Sequence, residues 1–143
     1  MGNVIRLHKE QTVEVTPAVA EDIDYGIEVG IPLLADSIER DGRNVPLERV
    51  LANIRERRSV VWLVYIDGEI VASILTAVMQ HPLRATLYIE HLGGTRIREW
   101  MSAAMEALVD LARKAELDGI EANGRHGFDK YMDQCGFKRT FVH

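Results

Sequence analysis

The sequence predicts a mixed α/β layer structure, and three features of the 143-residue chain support this prediction. Short apolar or alternating segments in the middle of the chain are typical of β-strands. Segments whose apolar residues recur with helical spacing lie before and after these strands. One long helix separates the central strands from a later strand, which indicates a parallel crossover.

The first half of the chain predicts one strand followed by helices. The stretch TVEVTP alternates β-branched and charged residues, so we expect a strand that Pro17 ends. Pro32 interrupts the next apolar pattern and leaves either one kinked helix or two short ones. Pro46 favours a further helix start, with Asn44 or Val45 as its cap. The interrupted pattern consists of Ile23, Ile27, Ile31, Leu34 and Ile38.

The middle of the chain predicts a three-stranded antiparallel meander. The run VVWLVYI is continuously apolar and aromatic, as in a central strand. Asp67-Gly68 is a strong hairpin signal, and EIVASILTAVM is expected to return as the partner strand. The stretch QHPLR predicts a loop, and ATLYIEHL predicts the third strand of the meander.

The last third of the chain predicts a long helix followed by strand, helix and strand. A helix with apolar residues on two faces is expected to be covered on more than one side. After Gly119, IEAN predicts a short strand, GFDKYMDQC a short helix that Gly136 ends, and FKRTFV a last strand. The two faces of the long helix comprise Ile97, Met101, Ala104, Leu108, Leu111 and Ala115, and then Trp100, Ala103 and Ala107.

Composition and charge argue against several classes of protein. The net charge of −5, from 17 basic and 22 acidic residues, argues against a general nucleic-acid binder. The start MGNVIRLHKE predicts neither a signal peptide nor a membrane span. The single cysteine, Cys135, excludes an internal disulfide and favours a reducing, cytoplasmic location. Five scattered histidines without metal-ligand spacing predict no zinc site.

The order of elements resembles the GNAT superfamily of acyl-CoA-dependent N-acyltransferases. The resemblance rests on AEDID after the first strand, YIEHL in the fourth strand and GFDKYMDQCGFKRT near the end. It implies one GNAT-like domain over residues 1–143, with 1–11 as an N-terminal arm, and a mostly antiparallel sheet flanked by helices. The segment ANGRHGF and the later GFKR are also similar to small GNAT-like proteins of bacteriophages and prophages, which implies a virion location if the chain is phage-encoded.

The resemblance implies an acetyl-CoA site at the start of the long helix. In the family, a Gln/Arg-x-x-Gly-x-Gly/Ala loop lets backbone N–H groups approach the CoA pyrophosphate. Here Ile97 and Glu99 fall near the two glycine positions, adding bulk and negative charge, while Gly93-Gly94 offers an earlier, shifted anion nest. The candidate cofactor-binding residues are therefore His91, Leu92, Gly93, Gly94, Thr95, Arg96, Arg98 and Arg125.

Two of these candidates, Arg96 and Arg98, lie where cations oppose the helix macrodipole. Their position favours a bound anion such as pyrophosphate, the CoA 3′-phosphate or a carboxylate of a partner. The alternative is two solvated arginines balanced by Glu99, which suits that end of a helix.

The resemblance also implies catalytic residues. Glu90 in YIEHL matches the strand position at which many family members carry the base that deprotonates the amine. The alternative is a carboxylate facing outward from a half-exposed strand. The family's acid is a Tyr at the position of Met132, so Tyr131 is one residue, or about 100°, out of place. His91 is either a proton shuttle or a packed structural residue.

Two functions follow from this reading. The first is an acetyl-CoA-dependent N-acetyltransferase whose acceptor is a small-molecule or protein amine. The second is a catalytically degenerate GNAT-fold protein that serves as a virion component or a protein-binding module, with a second copy or other phage proteins as partners. The incomplete loop and the displaced Tyr131 favour the second function. The first is favoured because members of the family vary widely in their loops and some use water in place of a Tyr acid.

Overall fold

A computed structural model describes residues 11–41 and 45–122, which build one five-stranded sheet with helices packed on its two faces. The strands lie in the order β1-β2-β3-β4-β5; all neighbouring pairs are antiparallel except β4 and β5, which are parallel. This arrangement confirms the predicted mixed α/β class and the single parallel crossover through the long helix. The elements are β1 (Val13–Ala18), a 3-10 turn (Ala20–Asp22), α1 (Ile23–Glu39), α2 (Leu47–Arg55), β2 (Ser59–Ile66), β3 (Glu69–His81), β4 (Arg84–Gly94), α3 (Ile97–Lys114) and β5 (Ile120–Ala122).

Two apolar cores lie on opposite faces of the sheet. Successive side chains of a strand point to opposite faces, so β2 contributes to both cores. Trp62 and Val64 pack in the core that contains Trp100 of α3. Val61 packs in the other core, with Leu34 of α1. The α1/α2 face and the α3 face of the sheet are named after these helices below.

The hairpin at Asp67-Gly68 is confirmed. Both residues have positive φ, 51° and 83°, as a type I′ turn requires. The second turn is tighter than the loop predicted for QHPLR. His81 pairs with Arg84, so β3 and β4 continue almost to the tip of the hairpin.

Two prolines lie inside elements rather than at their ends. Pro17 does not end β1, because among the described strands β1 has a neighbour on one side only, and an edge strand tolerates a residue without an N–H donor. Pro32 lies inside α1, which is one helix and not two. Pro46 itself caps α2, in place of the predicted Val45; Asn44 lies outside the described residues.

The predicted helix and strand after β5, with Cys135 and Gly136, also lie outside the described residues. None of the helices in the described part of the chain has the length and apolar character needed to cross a membrane. Residues 11–41 and 45–122 likewise contain no group of three metal-ligating side chains.

Candidate active site

Strand β4 contains a β-bulge at Glu90, the predicted general base. The pairing with β3 joins Leu75 to His91 and Thr76 to Ile89, so Glu90 is the extra residue between two paired positions. A bulge bends a strand and re-aims the side chain that it inserts. The Glu90 side chain is half-buried and accepts a 2.8 Å hydrogen bond from the hydroxyl of Ser59. Ser59 therefore orients the carboxylate.

Glu90 lies on the α1/α2 face of the sheet. Its partner Ser59 precedes Val61 by two residues in β2, and alternating strand residues share a face. Val61 belongs to the core under α1 and α2, so Ser59 and the carboxylate it holds lie on that side. Sequence analysis missed Ser59, since its only local feature is its place at the start of a strand.

His91 lies beside Glu90 and links β4 to the end of α1. Its Nδ1 atom is 2.9 Å from the hydroxyl oxygen of Ser37, and its Nε2 atom is 3.6 Å from a carboxylate oxygen of Asp41. The second distance is that of an electrostatic contact and exceeds a hydrogen bond. The side chains of His91 and Asp41 are only 4% and 8% exposed. These contacts match the packed, hydrogen-bonded interpretation of this histidine.

Gly93 and Gly94 belong to β4 and allow other backbone segments to approach closely. They pair with Ser73 and Ala72 of β3. A Cβ atom at Gly93 would collide with the carbonyl oxygen of Leu33 in α1. A Cβ atom at Gly94, whose φ is 131°, would collide with the backbone of β3. Packing therefore accounts for both glycines.

The residues on either side of these glycines also have defined contacts. Leu92 packs against the core of the α3 face. The Thr95 N–H group donates a 2.9 Å hydrogen bond to the carbonyl oxygen of Val71. The Thr95 carbonyl oxygen accepts a 2.7 Å bond from the indole N–H of Trp100. Hydrogen bonds of Thr95 to β3 and to α3 therefore fix the turn into α3.

The start of α3 carries an ion pair between Arg96 and Glu99. Arg96 caps the helix in the left-handed region, with φ of 59°, and its guanidinium binds both oxygens of Glu99 at 2.7 and 2.8 Å. The Gln11 amide donates a further 2.8 Å bond to Glu99. The hydrogen bonds from Arg96 and then Gln11 lower the pKa of Glu99 to about 2, and the bond to Glu99 raises the pKa of Arg96. Arg98, two residues after Arg96, is exposed.

The pairing between β4 and β5 ends immediately before the bulge. Ile120 to Ala122 pair with Leu87 to Ile89. Among the described residues, β4 from Glu90 to Gly94 has no strand neighbour on the β5 side. Glu90 and its oriented carboxylate stand at the start of this length of strand. The candidate residues Arg125 and Tyr131 lie outside the described residues.

Comparisons with known proteins identify the fold. No protein-family model and no curated protein matches the sequence. A predicted acetyltransferase from Clostridium acetobutylicum, solved with acetyl-CoA, is similar with a TM-score of 0.65 and 14% identity, over 92% of this chain and 95% of that one. Glucosamine-6-phosphate N-acetyltransferase from Arabidopsis thaliana gives a TM-score of 0.62 at 14% identity, with coverage of 92% and 95%.

A third solved structure is the ribosomal-protein-alanine N-acetyltransferase from Brucella melitensis biovar Abortus 2308. It is similar with a TM-score of 0.63 and 14% identity, over 92% of this chain and 93% of that one. The structural similarity establishes the arrangement of the backbone, whereas identities this low leave the activity open. The mixed five-stranded sheet with its flanking helices is the GNAT acyl-CoA N-acyltransferase fold.

Proposed function

We propose that this protein is an N-acetyltransferase that transfers the acetyl group of acetyl-CoA to a primary amine, with Glu90 as the general base. One observation carries the proposal: within a GNAT fold, the half-buried Glu90 lies at a bulge immediately beyond the last β4–β5 pair. One fold neighbour was solved with acetyl-CoA, and the names of two others specify N-acetyl transfer.

The proposed chemistry needs a base because an alkyl ammonium group is protonated near neutral pH, with a pKa of about 10 as for lysine. Only the neutral amine is a nucleophile, so a carboxylate in reach must take one proton first. A carboxylate accepts up to about four hydrogen bonds, so the bond from Ser59 orients Glu90 and leaves it able to receive a proton. Tyr131 is the candidate donor of a proton to the departing thiolate.

The cofactor supplies the acetyl group and a thiolate leaving group. The β4 edge from Glu90 to Gly94 fits its pantetheine arm, because a strand edge offers backbone donors and acceptors and Gly93 and Gly94 add no side chain. At the phosphate end, the first N–H groups of α3 and the guanidinium of Arg98 suit an anion. Arg96 contributes only if the pyrophosphate takes the place of Glu99.

The alternative function is a non-catalytic protein-binding module of the same fold. The ion pair between Arg96 and Glu99 is the observation that favours it, because a carboxylate of the chain itself is bound at the start of α3. In that case the helix N-terminus needs no phosphate to balance its positive end.

The test combines a binding measurement with a turnover measurement. Titration calorimetry with acetyl-CoA, and thiol release in the presence of primary amines, should show micromolar binding and turnover. The Glu90→Gln variant should lose about 100-fold or more in kcat at unchanged acetyl-CoA affinity, while Glu106→Gln on the exposed face of α3 should behave as the wild type. Absence of binding at millimolar acetyl-CoA would overturn the proposal, and wild-type turnover of Glu90→Gln would remove Glu90 as the base.

A further inference from the structure

A serine, a histidine and an aspartate lie together where the end of α1 meets β4. The hydroxyl oxygen of Ser37 is 2.9 Å from Nδ1 of His91, and a carboxylate oxygen of Asp41 is 3.6 Å from Nε2 of the same ring. The two partners therefore contact opposite nitrogens of one imidazole. A hydroxyl, a base within hydrogen-bond reach of it and a third group beside the base are the parts of an activated nucleophile.

The packing of α1 on β4 fixes the hydroxyl against the imidazole. The carbonyl oxygen of Leu33 lies so close to Gly93 that a Cβ atom there would collide with it. Ser37 follows Leu33 by four residues, about one helical turn, and so lies on the same face of α1. His91 precedes Gly93 by two residues and so lies on the same face of β4. A close helix–strand contact one turn away therefore sets the distance between Ser37 and His91.

One neutral form of the imidazole suits a base for Ser37. With the ring proton on Nε2, the unprotonated Nδ1 accepts the hydrogen bond from the Ser37 hydroxyl, and the Nε2–H group lies beside the carboxylate of Asp41. A neighbouring negative charge also favours the imidazolium that forms when the ring takes a second proton. The side chains of His91 and Asp41 are 4% and 8% exposed, so water and salt screen this attraction little.

We propose that Ser37 is a nucleophile that takes the acetyl group of an acetyl thioester or activated acetyl ester and passes it to water when no amine is present. Ser37 is half-buried and keeps part of its surface exposed to a donor. His91 belongs to the length of β4 that the proposed function assigns to the pantetheine arm. The inference therefore rests on that function for the identity of the donor, acetyl-CoA, and adds a hydrolytic activity to it.

Both half-reactions balance with water as the only co-reactant. The Ser37 oxygen attacks the carbonyl carbon while its proton moves to His91, and the carbon–sulfur bond breaks to release a thiolate, which takes that proton. In the second half, water gives a proton to His91 as its oxygen adds to the acetyl ester. The bond between the acetyl carbon and the Ser37 oxygen then breaks, this oxygen takes the proton back from His91, and acetic acid leaves.

The probe p-nitrophenyl acetate tests Ser37 without the CoA site, because it carries the acetyl group on a small leaving group. The full-length wild type should release p-nitrophenolate, and peptide mapping after an acid quench should find the acetyl group on the peptide that contains Ser37. The wild type should also hydrolyse acetyl-CoA to CoA and acetate in the absence of amines.

Variants assign the reaction to one hydroxyl. Ser37→Ala should lower the rate of p-nitrophenolate release by about 100-fold or more, the loss expected for a missing nucleophile. Ser37→Cys keeps a nucleophile beside His91 and should retain release, whereas a hydroxyl with only a structural role would make both variants alike. Ser102→Ala, on an exposed position of α3, is the matched control and should behave as the wild type.

The outcomes distinguish this inference from the proposed function. Release of p-nitrophenolate that Ser37→Ala abolishes and Ser37→Cys retains, without turnover of any amine, supports the nucleophile and overturns the proposed function. Acetylation of amines by the wild type, with Ser37→Ala releasing p-nitrophenolate as fast as the wild type, overturns the inference and leaves N-acetyl transfer intact. Release by the wild type no faster than in buffer overturns the inference as well.

Discussion

The guanidinium of Arg96 donates one hydrogen bond to each carboxylate oxygen of Glu99. Both side chains are about one-third exposed at the start of α3. This geometry places a carboxylate of the chain beside the helix end that the proposed function assigns to the CoA phosphates. A bound pyrophosphate and Glu99 would thus compete for one cation and one helix N-terminus.

The first prediction concerns the Glu99→Gln variant. Removal of the negative charge frees Arg96 and removes the carboxylate that competes with phosphate. Affinity for acetyl-CoA should therefore rise by up to about fivefold, the size of one exposed ion pair. Calorimetric titration of both proteins at low and high salt measures the effect, with Glu106→Gln as the control. Weaker binding by Glu99→Gln would mean that the pair organises the site and does not oppose the cofactor.

The same residue predicts a pH dependence of stability. The pKa of Glu99 is lowered to about 2 in the folded protein, against about 4.3 in an unfolded chain. A lowered pKa means that the carboxylate stabilises the fold above about pH 4.3, and that this stabilisation is lost as the pH falls toward 2. The difference in urea midpoint between the wild type and Glu99→Gln should therefore shrink from pH 5 to pH 2. A constant difference over this range would contradict the lowered pKa.

Ser59 offers a test of how Glu90 is oriented. Ser59→Ala removes the 2.8 Å hydrogen bond to Glu90, so kcat should fall about tenfold or more, as expected for one hydrogen bond to a charged group. Acetyl-CoA affinity should not change, because Ser59 contacts the carboxylate of Glu90 and belongs to β2, which β3 separates from the backbone of β4. Ser73→Ala is the matched control, since the buried Ser73 hydroxyl has no hydrogen-bond partner among the described residues. Equal kcat for Ser59→Ala and the wild type would show that the bulge alone fixes Glu90.

Features of the fold and the site could be predicted from the sequence where residues close together in the chain cause them. The Asp67-Gly68 turn and the helix from Ile97 follow from nearby residues, and both are confirmed. The bulge at Glu90 depends on the register with β3 and has no Gly or Pro signal, and its partner Ser59 lies 31 residues away. Pro17 was misjudged for the same reason, because only the strand order shows that its strand is at an edge.

The buried Glu121 and its two partners should stabilise the end of the sheet beside the site without taking part in turnover. Glu121 of β5 is 2% exposed, and its two oxygens lie 3.0 Å from His81 and 3.0 Å from Arg84 in the β3–β4 hairpin. Glu121→Gln should lower the free energy of unfolding by about 1–3 kcal/mol, the cost of weakening hydrogen bonds to charged groups. Urea denaturation measures it, with the exposed Glu116→Gln as the control. A loss of kcat at unchanged stability would instead assign Glu121 to the site.

The glycine pair distinguishes a packing role from an anion nest. Gly93→Ala places a methyl group against the Leu33 carbonyl, and Gly94→Ala also requires an alanine at φ of 131°, so each should lower the free energy of unfolding by about 2 kcal/mol or more. Gly119→Ala is the matched control, because a methyl group there meets no atom within 4 Å. Thermal unfolding measures stability, and calorimetry measures acetyl-CoA affinity of the folded fraction. Wild-type stability combined with lost affinity would assign the glycines to phosphate binding. An anion nest requires only the local backbone, whereas the packing role requires contact with α1 and β3.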